Sequence, residues 1–372
     1  MSSLILPSDL LQQLIRCRSV TPQDDNAQLL LKEWLEFLGF QVLQLDFNGT
    51  PNLYATKKKP GKKHLLLAGH SDVVPADNPE QWMYDPFAGV IDQGYIYGRG
   101  AQDMKGGLVC FIAALAKIAD KESPSISLAI TGDEEGPAIN GTIKILEHMH
   151  NLGEKWDFAL VGEPTCKQQL GDIVKIGRRG SLNGILNVKG ISGHVAYQHL
   201  ADNAAIKIVQ ALNILSDIKL DEGSQEFQPS NLEITQIMCG GEATNVIPGE
   251  AKAKFNIRFN NLWTIDKLKS YICESLPNYA EIEWLAGASE SFLNIDEQLV
   301  AKLKESIFEI TGVESKLDTG GGTSDARFIK NYCPVVEFGL CGNLMHKVDE
   351  SVSISELEQL TSIYSNFFQK IA

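Results

Sequence analysis

Three short apolar segments, each running into residues that can bind a metal, constrain this chain more than any other feature. Residues 64–68 (HLLLA), 125–131 (SISLAIT) and 157–161 (DFALV) read as strands apolar on both faces, the pattern of strands buried between two layers. Between the first two, residues 104–119 place Leu108, Phe111, Ile112, Leu115 and Ile118 at helical spacing. Strand, helix, strand in this order predicts an α/β fold, a mixed and mostly parallel sheet flanked by helices. Open sheets of this kind gather ligands outside the carboxyl ends of their strands. His70, Ser71 and Asp72 follow the first strand, Glu134 and Glu135 the second, and Glu163 the third. A fourth apolar run, residues 334–339 (PVVEFG), is followed a short loop later by His346.

The middle of the chain has another rhythm. Residues 180–189 read as a strand, 203–219 as a helix, 232–238 as a strand, and 250–258 as a strand with Ala251, Ala253, Phe255 and Ile257 on one face. A helix over 265–276 and a strand over 281–285 complete a β-α-β-β-α-β order, which predicts a ferredoxin-like α+β layer. After it come a helix over 295–310, the strand already named and a closing helix over 354–371. The expected organisation is a catalytic domain built from residues 1–178 and 294–372, interrupted by an inserted domain over 179–293.

Composition narrows the partners. With 33 Lys and Arg against 47 Asp and Glu, the formal charge is −14, so the chain repels nucleic acid and anionic membrane, and neither is expected as a partner. No run of 18 apolar residues suits a membrane helix. The first 17 residues lack the basic start and apolar run of a secretion signal, and the expected location is cytoplasmic. Seven cysteines, an odd number without C-x-x-C spacing, fit free thiols better than a disulfide framework or a thiolate zinc site.

The candidate ligands are imidazoles and carboxylates without thiolate, a set suited to zinc and also to cobalt or manganese. Two divalent ions need a shared ligand. Asp103 is the best candidate to bridge, because its loop is tight and glycine-rich (Gly98, Gly100, Gly106, Gly107). Asp72, two residues from His70, is close enough to accept the second imidazole N–H and fix the tautomer. Glu134 and Glu135, leaving one strand in different directions, can divide their work between ion and water, and a free carboxylate beside that water is what a general base requires.

The segments GHSDVVP (69–75), GRGAQDMKGG (98–107), TGDEEGPA (131–138), LVGEPT (160–165) and MHKVDE (345–350) resemble the co-catalytic zinc aminoacylase and carboxypeptidase family. GRRGSLNG (177–184), VKGISGHVAYQHLADN (188–203), FNIRFN (255–260) and GGTSDARF (321–328) resemble the branch that removes a succinyl group from an N-acylated diamino acid. The resemblance spans essentially the whole chain. It implies one ion on His70 and Glu163 and another on Glu135 and His346, with Asp103 between them. It implies Glu134 as the general base and Asp72 as the partner of His70. It further implies a homodimer through the inserted domain, with His194 of one subunit stabilising the oxyanion in the other and with Tyr197 and Asn245 near it. Deacylases acting on acetylated amino acids and peptidases of the same family are the alternatives. Ser71, Gln198 and Ala326 stand where the family usually has Thr, Pro and Gly, and the loop 339–346 departs from its usual stretch.

The resemblance implies a small substrate carrying several carboxylates, which would have to be held against the chain's own negative charge. Arg178, Arg179 and Arg258 offer forks suited to carboxylates. Ser181 and Thr323 can donate hydrogen bonds, and the run Gly320, Gly321 and Gly322 lets backbone N–H groups come close.

Overall fold

The computed structural model describes residues 5–118, 123–294 and 296–372. The chain divides into two units. One runs up to Ile176 and resumes over Asn294–Asp318 and Ser324–Ala372; the other comprises Gly177–Leu293 with Thr319–Thr323.

The first unit is an α/β sandwich around an eight-stranded mixed sheet. In spatial order its strands are Gln41–Phe47, Thr50–Lys57, Ser125–Thr131, His64–His70, Phe158–Val161, Val335–Glu337, Ile173–Lys175 and Lys316–Asp318. Four adjacent ones, Ser125–Thr131 through Val335–Glu337, are mutually parallel and almost wholly buried. These are the four strands that the sequence supplies with ligands at their carboxyl ends, so the ligands emerge along one edge. The helix expected over 104–119 spans Lys105–Lys117, and Ala119 lies outside the described residues. Its burial is nearly all-round, because the closing helix Ile354–Lys370 packs on its far side. Phe111 meets Tyr364 at 4.5 Å between ring centroids, and the Tyr364 hydroxyl donates to the Phe338 carbonyl at 2.6 Å. The closing helix starts at a side-chain N-cap, with the Ser353 hydroxyl accepting from the Glu356 N–H. Gly107 is required where the helix Lys105–Lys117 packs on the sheet, since a Cβ there would run into the Gly162 carbonyl.

The second unit has a four-stranded antiparallel sheet in the order Asn231–Cys239, Glu250–Phe259, Gly180–Lys189, Ala280–Trp284. With helices Ala204–Asp217 and Ile265–Ser275 this is the ferredoxin-like arrangement. Along Glu250–Phe259 the residues Ala251, Ala253, Phe255 and Ile257 are buried, while Lys252 and Lys254 face water. The unit begins two residues earlier than the expected 179, because Gly177–Arg178 pairs with Phe292–Leu293. It also takes in Thr319–Thr323, anchored by the Thr319 hydroxyl on the Glu226 carbonyl and by Arg178 Nη1 on the Gly322 carbonyl at 3.1 Å. Among the described residues no helix is long and apolar enough to cross a membrane. All seven cysteines are free.

Candidate metal centre

His70 ends its strand fully buried, and its Nδ1 lies 2.8 Å from the Asp72 carbonyl oxygen. The expected contact to the Asp72 carboxylate is replaced by this main-chain one. The nearer carboxylate oxygen is 3.7 Å away because the carboxylate is already engaged, accepting from the Glu134 N–H at 3.2 Å and the Glu135 N–H at 3.1 Å. Asp72 therefore fixes the imidazole through its backbone and the two glutamates through its side chain.

The other ring nitrogen of His70 points into a ring of carboxylates. Nε2 is 3.4 Å from Asp103 Oδ1, 3.6 Å from Glu163 Oε1 and 3.9 Å from Glu134 Oε2. It is buried without a hydrogen-bond partner among the described residues. Asp103 turns its second oxygen the opposite way, with Oδ2 3.1 Å from His346 Nε2, which also lies 2.9 Å from Glu135 Oε1. One carboxylate thus stands between two imidazoles. The ligand atoms of His70, Asp103 and Glu135 lie within 4.8 Å of one another, as do those of His70, Glu134 and Glu163. An orphaned buried imidazole nitrogen facing several carboxylates is what a divalent cation satisfies, and an N/O donor set without sulfur suits zinc, cobalt or manganese.

The electrostatics show how much positive charge this cluster calls for. Burial opposes the charge of Asp103, but the flanking His346 and His70 outweigh it and hold its carboxyl well below the usual carboxylate range. Burial likewise opposes a charged His70, yet Asp103, Glu163 and Glu134 raise it well above an ordinary histidine. His346 is pushed up to about 10 by Asp103 and Glu135. Glu134 is pushed up to about 8, first by burial and then by Asp325 and Glu135 against the pull of His70. Without cations, protons must supply the balance.

Two groups escaped the sequence reading. Asp325 is buried; its Oδ2 accepts from the Thr142 hydroxyl at 2.6 Å, and burial lifts it to about 6. It lies inside GGTSDARF, and a carboxylate within a glycine-rich segment was the available signal. Asp133, one residue before the glutamate pair, accepts from the N–H groups of Ala138, Ile139 and Asn140 and so shapes the loop that carries the pair.

The remaining candidates belong to the second unit. Arg178 is buried, and Arg179 Nη1 donates to Asn231 Oδ1 at 2.8 Å. Burial and the neighbouring Arg258 depress Arg179, so two guanidinium groups share one neighbourhood. Ser181 sits opposite Arg258 in the sheet and accepts from Asn256 Nδ2 at 3.1 Å. Gly322 is exposed and Thr323 half-buried. His194, Tyr197 and Asn245 form a separate group around the short pairing of Gly193–His194 with Val246–Ile247. There the Val195 N–H donates to the Asn245 carbonyl, His194 Nδ1 accepts from the Ala196 N–H, and the His194 and Tyr197 rings are 5.8 Å apart. His194 and Tyr197 are exposed.

Residues 66–370 match peptidase family M20/M25/M40. The chain belongs to this family and is a hydrolase of its metallopeptidase kind. Solved structures agree in fold. The metallo-carboxypeptidase Sso-CP2 of the M20 family from Sulfolobus solfataricus is 20% identical, with 98% of this chain and 99% of that one covered at a TM-score of 0.81. The aminopeptidase PepT from Bacillus cereus is 18% identical, with 99% of each chain covered at a TM-score of 0.80. A dinuclear metal-binding M20 peptidase from Bacillus subtilis is 14% identical, with 98% and 97% covered at a TM-score of 0.73.

Proposed function

We propose that this chain hydrolyses N-succinyl-LL-2,6-diaminopimelate to succinate and LL-2,6-diaminopimelate, as a succinyl-diaminopimelate desuccinylase using two divalent ions, preferentially zinc. The observation that carries the hydrolytic part is Asp103, whose two oxygens face His70 and His346 from opposite sides. His70 and Glu163 would hold one ion, Glu135 and His346 the other, and Asp103 both. Bound there, the ions would polarise the amide carbonyl and bring the pKa of a water toward neutrality.

Glu134 is the base. Its carboxylate lies on the His70 side of the cluster, its main chain is fixed by Asp72, and its raised affinity for a proton suits one that must take a proton and return it. It removes a proton from the attacking water and delivers one to the leaving amine. The succinyl specificity rests on the cationic neighbourhood of Arg178, Arg179 and Arg258, with Ser181 beside it and backbone N–H groups at Gly322 and Thr323. In a chain of charge −14, such a neighbourhood is where an anion would be held.

The second unit also acts as a dimerisation domain in this reading. Ile191, Val195, Tyr197, Leu200 and Val246 stand exposed around His194, an apolar surface that a second copy would cover. His194 of the partner subunit would then donate to the oxyanion, with Tyr197 and Asn245 shaping its position.

Substrate discrimination tests the proposal. The zinc-loaded protein is given N-succinyl-LL-diaminopimelate, N-acetylornithine and a dipeptide. A strong preference for the succinyl compound, abolished by a chelator, is expected. Preference for the acetyl compound or the dipeptide would move the assignment to another deacylase or peptidase of the family.

A further inference from the structure

The ligands of the cluster are not held alike. His70 ends a strand and Glu163 follows one within two residues, whereas Asp103 and His346 sit on irregular loops from distant parts of the chain. His346 moreover has φ of +62°, a left-handed conformation that a side-chain-bearing residue keeps only where its surroundings impose it. One buried ion pair meets both loops.

Glu350 is fully buried and points both oxygens at the Asp103 loop. Oε1 accepts from the N–H of Gln102 at 2.9 Å and of Asp103 itself at 3.2 Å, while Oε2 accepts from the Gly100 N–H at 3.0 Å. Oε2 also takes Arg99 Nη1 at 2.8 Å. The Arg99 fork then reaches the His346 loop, donating to the Lys347 carbonyl at 3.2 Å and the His346 carbonyl at 3.5 Å, and to the Pro75 carbonyl at 3.3 Å beyond the His70 strand. Gln102 adds a neutral tie, accepting from the Leu344 N–H at 2.8 Å and donating to the Ser351 carbonyl at 2.8 Å.

We infer that Arg99 and Glu350 are positioning residues that set the separation of Asp103 from His346, and through it the affinity for the ion on the His346 side. The inference rests on the two-ion reading proposed above. A buried ion pair contributes little net stability over an apolar pair, so its worth lies in the main-chain groups it places. The ion on the His70 side draws on two ligands that strands fix and feels the pair less.

Zinc titration calorimetry of the ion-free protein tests this. The wild-type chain, His346→Ala, Glu350→Gln and the double variant Arg99→Met/Glu350→Gln are compared, with thermal unfolding of each ion-free protein. His346→Ala identifies which binding step belongs to its side. Glu350→Gln is expected to weaken that same step by about 10- to 100-fold, the usual cost of losing an outer partner of a metal ligand, and to change the other step less. Glu350→Gln alone leaves Arg99 buried without its counter-ion and lowers the unfolding midpoint. The double variant removes both charges and recovers midpoint, while its His346-side affinity stays low. A double variant that recovers both, equal weakening of both steps, or affinities like the wild type would overturn the inference. A wild-type chain that takes up fewer than two ions would instead sink the two-ion reading beneath it.

Discussion

His70 and His194 stand for two ways of building a site. His70 is 1% exposed, with one ring nitrogen fixed by a carbonyl and the other facing three carboxylates. His194 lies on an exposed segment, where its ring accepts from the Ala196 N–H and sits 5.8 Å from the Tyr197 ring, both local contacts. The first is organised by the fold of a single chain, since four parallel strands deliver its neighbours to one edge. The second gains a fixed environment only from whatever covers its segment. In the proposed reading, ion binding and proton transfer belong to one subunit, and oxyanion stabilisation depends on assembly.

The sharpest way to break this contrast is at Glu134. Glu134→Gln is expected to lower kcat by about a thousandfold while two ions remain bound, since removing the base leaves the ligands in place. Metal analysis alongside steady-state kinetics checks it; turnover near wild type would return the base role to another group. His194→Ala should cost about 100- to 1,000-fold in kcat with ion content unchanged. Mixing that variant with Glu134→Gln subunits should restore activity, because one site of each mixed dimer then holds an intact Glu134 and an intact partner histidine. Inactive mixtures, with dimer exchange demonstrated, would place the histidine in the same subunit or outside the reaction.

Protonation offers a finer test. In the ion-free protein His346, raised to about 10, carries a proton at pH 7, and Glu134, raised to about 8, is largely protonated as well. An ion needs the neutral imidazole, so binding must release protons, and affinity must rise with pH below these values. Calorimetry in two buffers of different ionisation enthalpy reads the release directly. Binding heats that do not depend on the buffer would contradict the charge balance described for the cluster. The smallest effect is expected at Arg258. Arg258→Ala should raise KM for the succinyl substrate by roughly tenfold, the worth of one charged hydrogen bond, with less change for an acetylated amino acid.

Much of the first unit was legible because its signals are local. An apolar run followed by His70, Glu135 or Glu163 marks both a buried parallel strand and a ligand at its end. The hairpin of Gln41–Phe47 with Thr50–Lys57 is not legible in the sequence, since its outer strand is largely exposed and lacks a clean apolar alternation. Ile173–Lys175 and Lys316–Asp318 are too short to carry a period, and their pairing is fixed by tertiary neighbours. The same distinction holds at the site. The ligand types could be read in order along the chain, but the use of the Asp72 backbone rather than its carboxylate towards His70 depends on where the N–H groups of Glu134 and Glu135 fall. The recruitment of Thr319–Thr323 to the second unit depends on contacts to Glu226 and Arg178, far away along the chain.

Anomalous diffraction at the zinc edge, from crystals of the zinc-loaded protein, tests the central claim most directly. Two peaks are expected in each subunit, about 3.5–4 Å apart, with Asp103 ligating both, His70 and Glu163 on one, and Glu135 and His346 on the other. A single peak, or two that do not share Asp103, would contradict it.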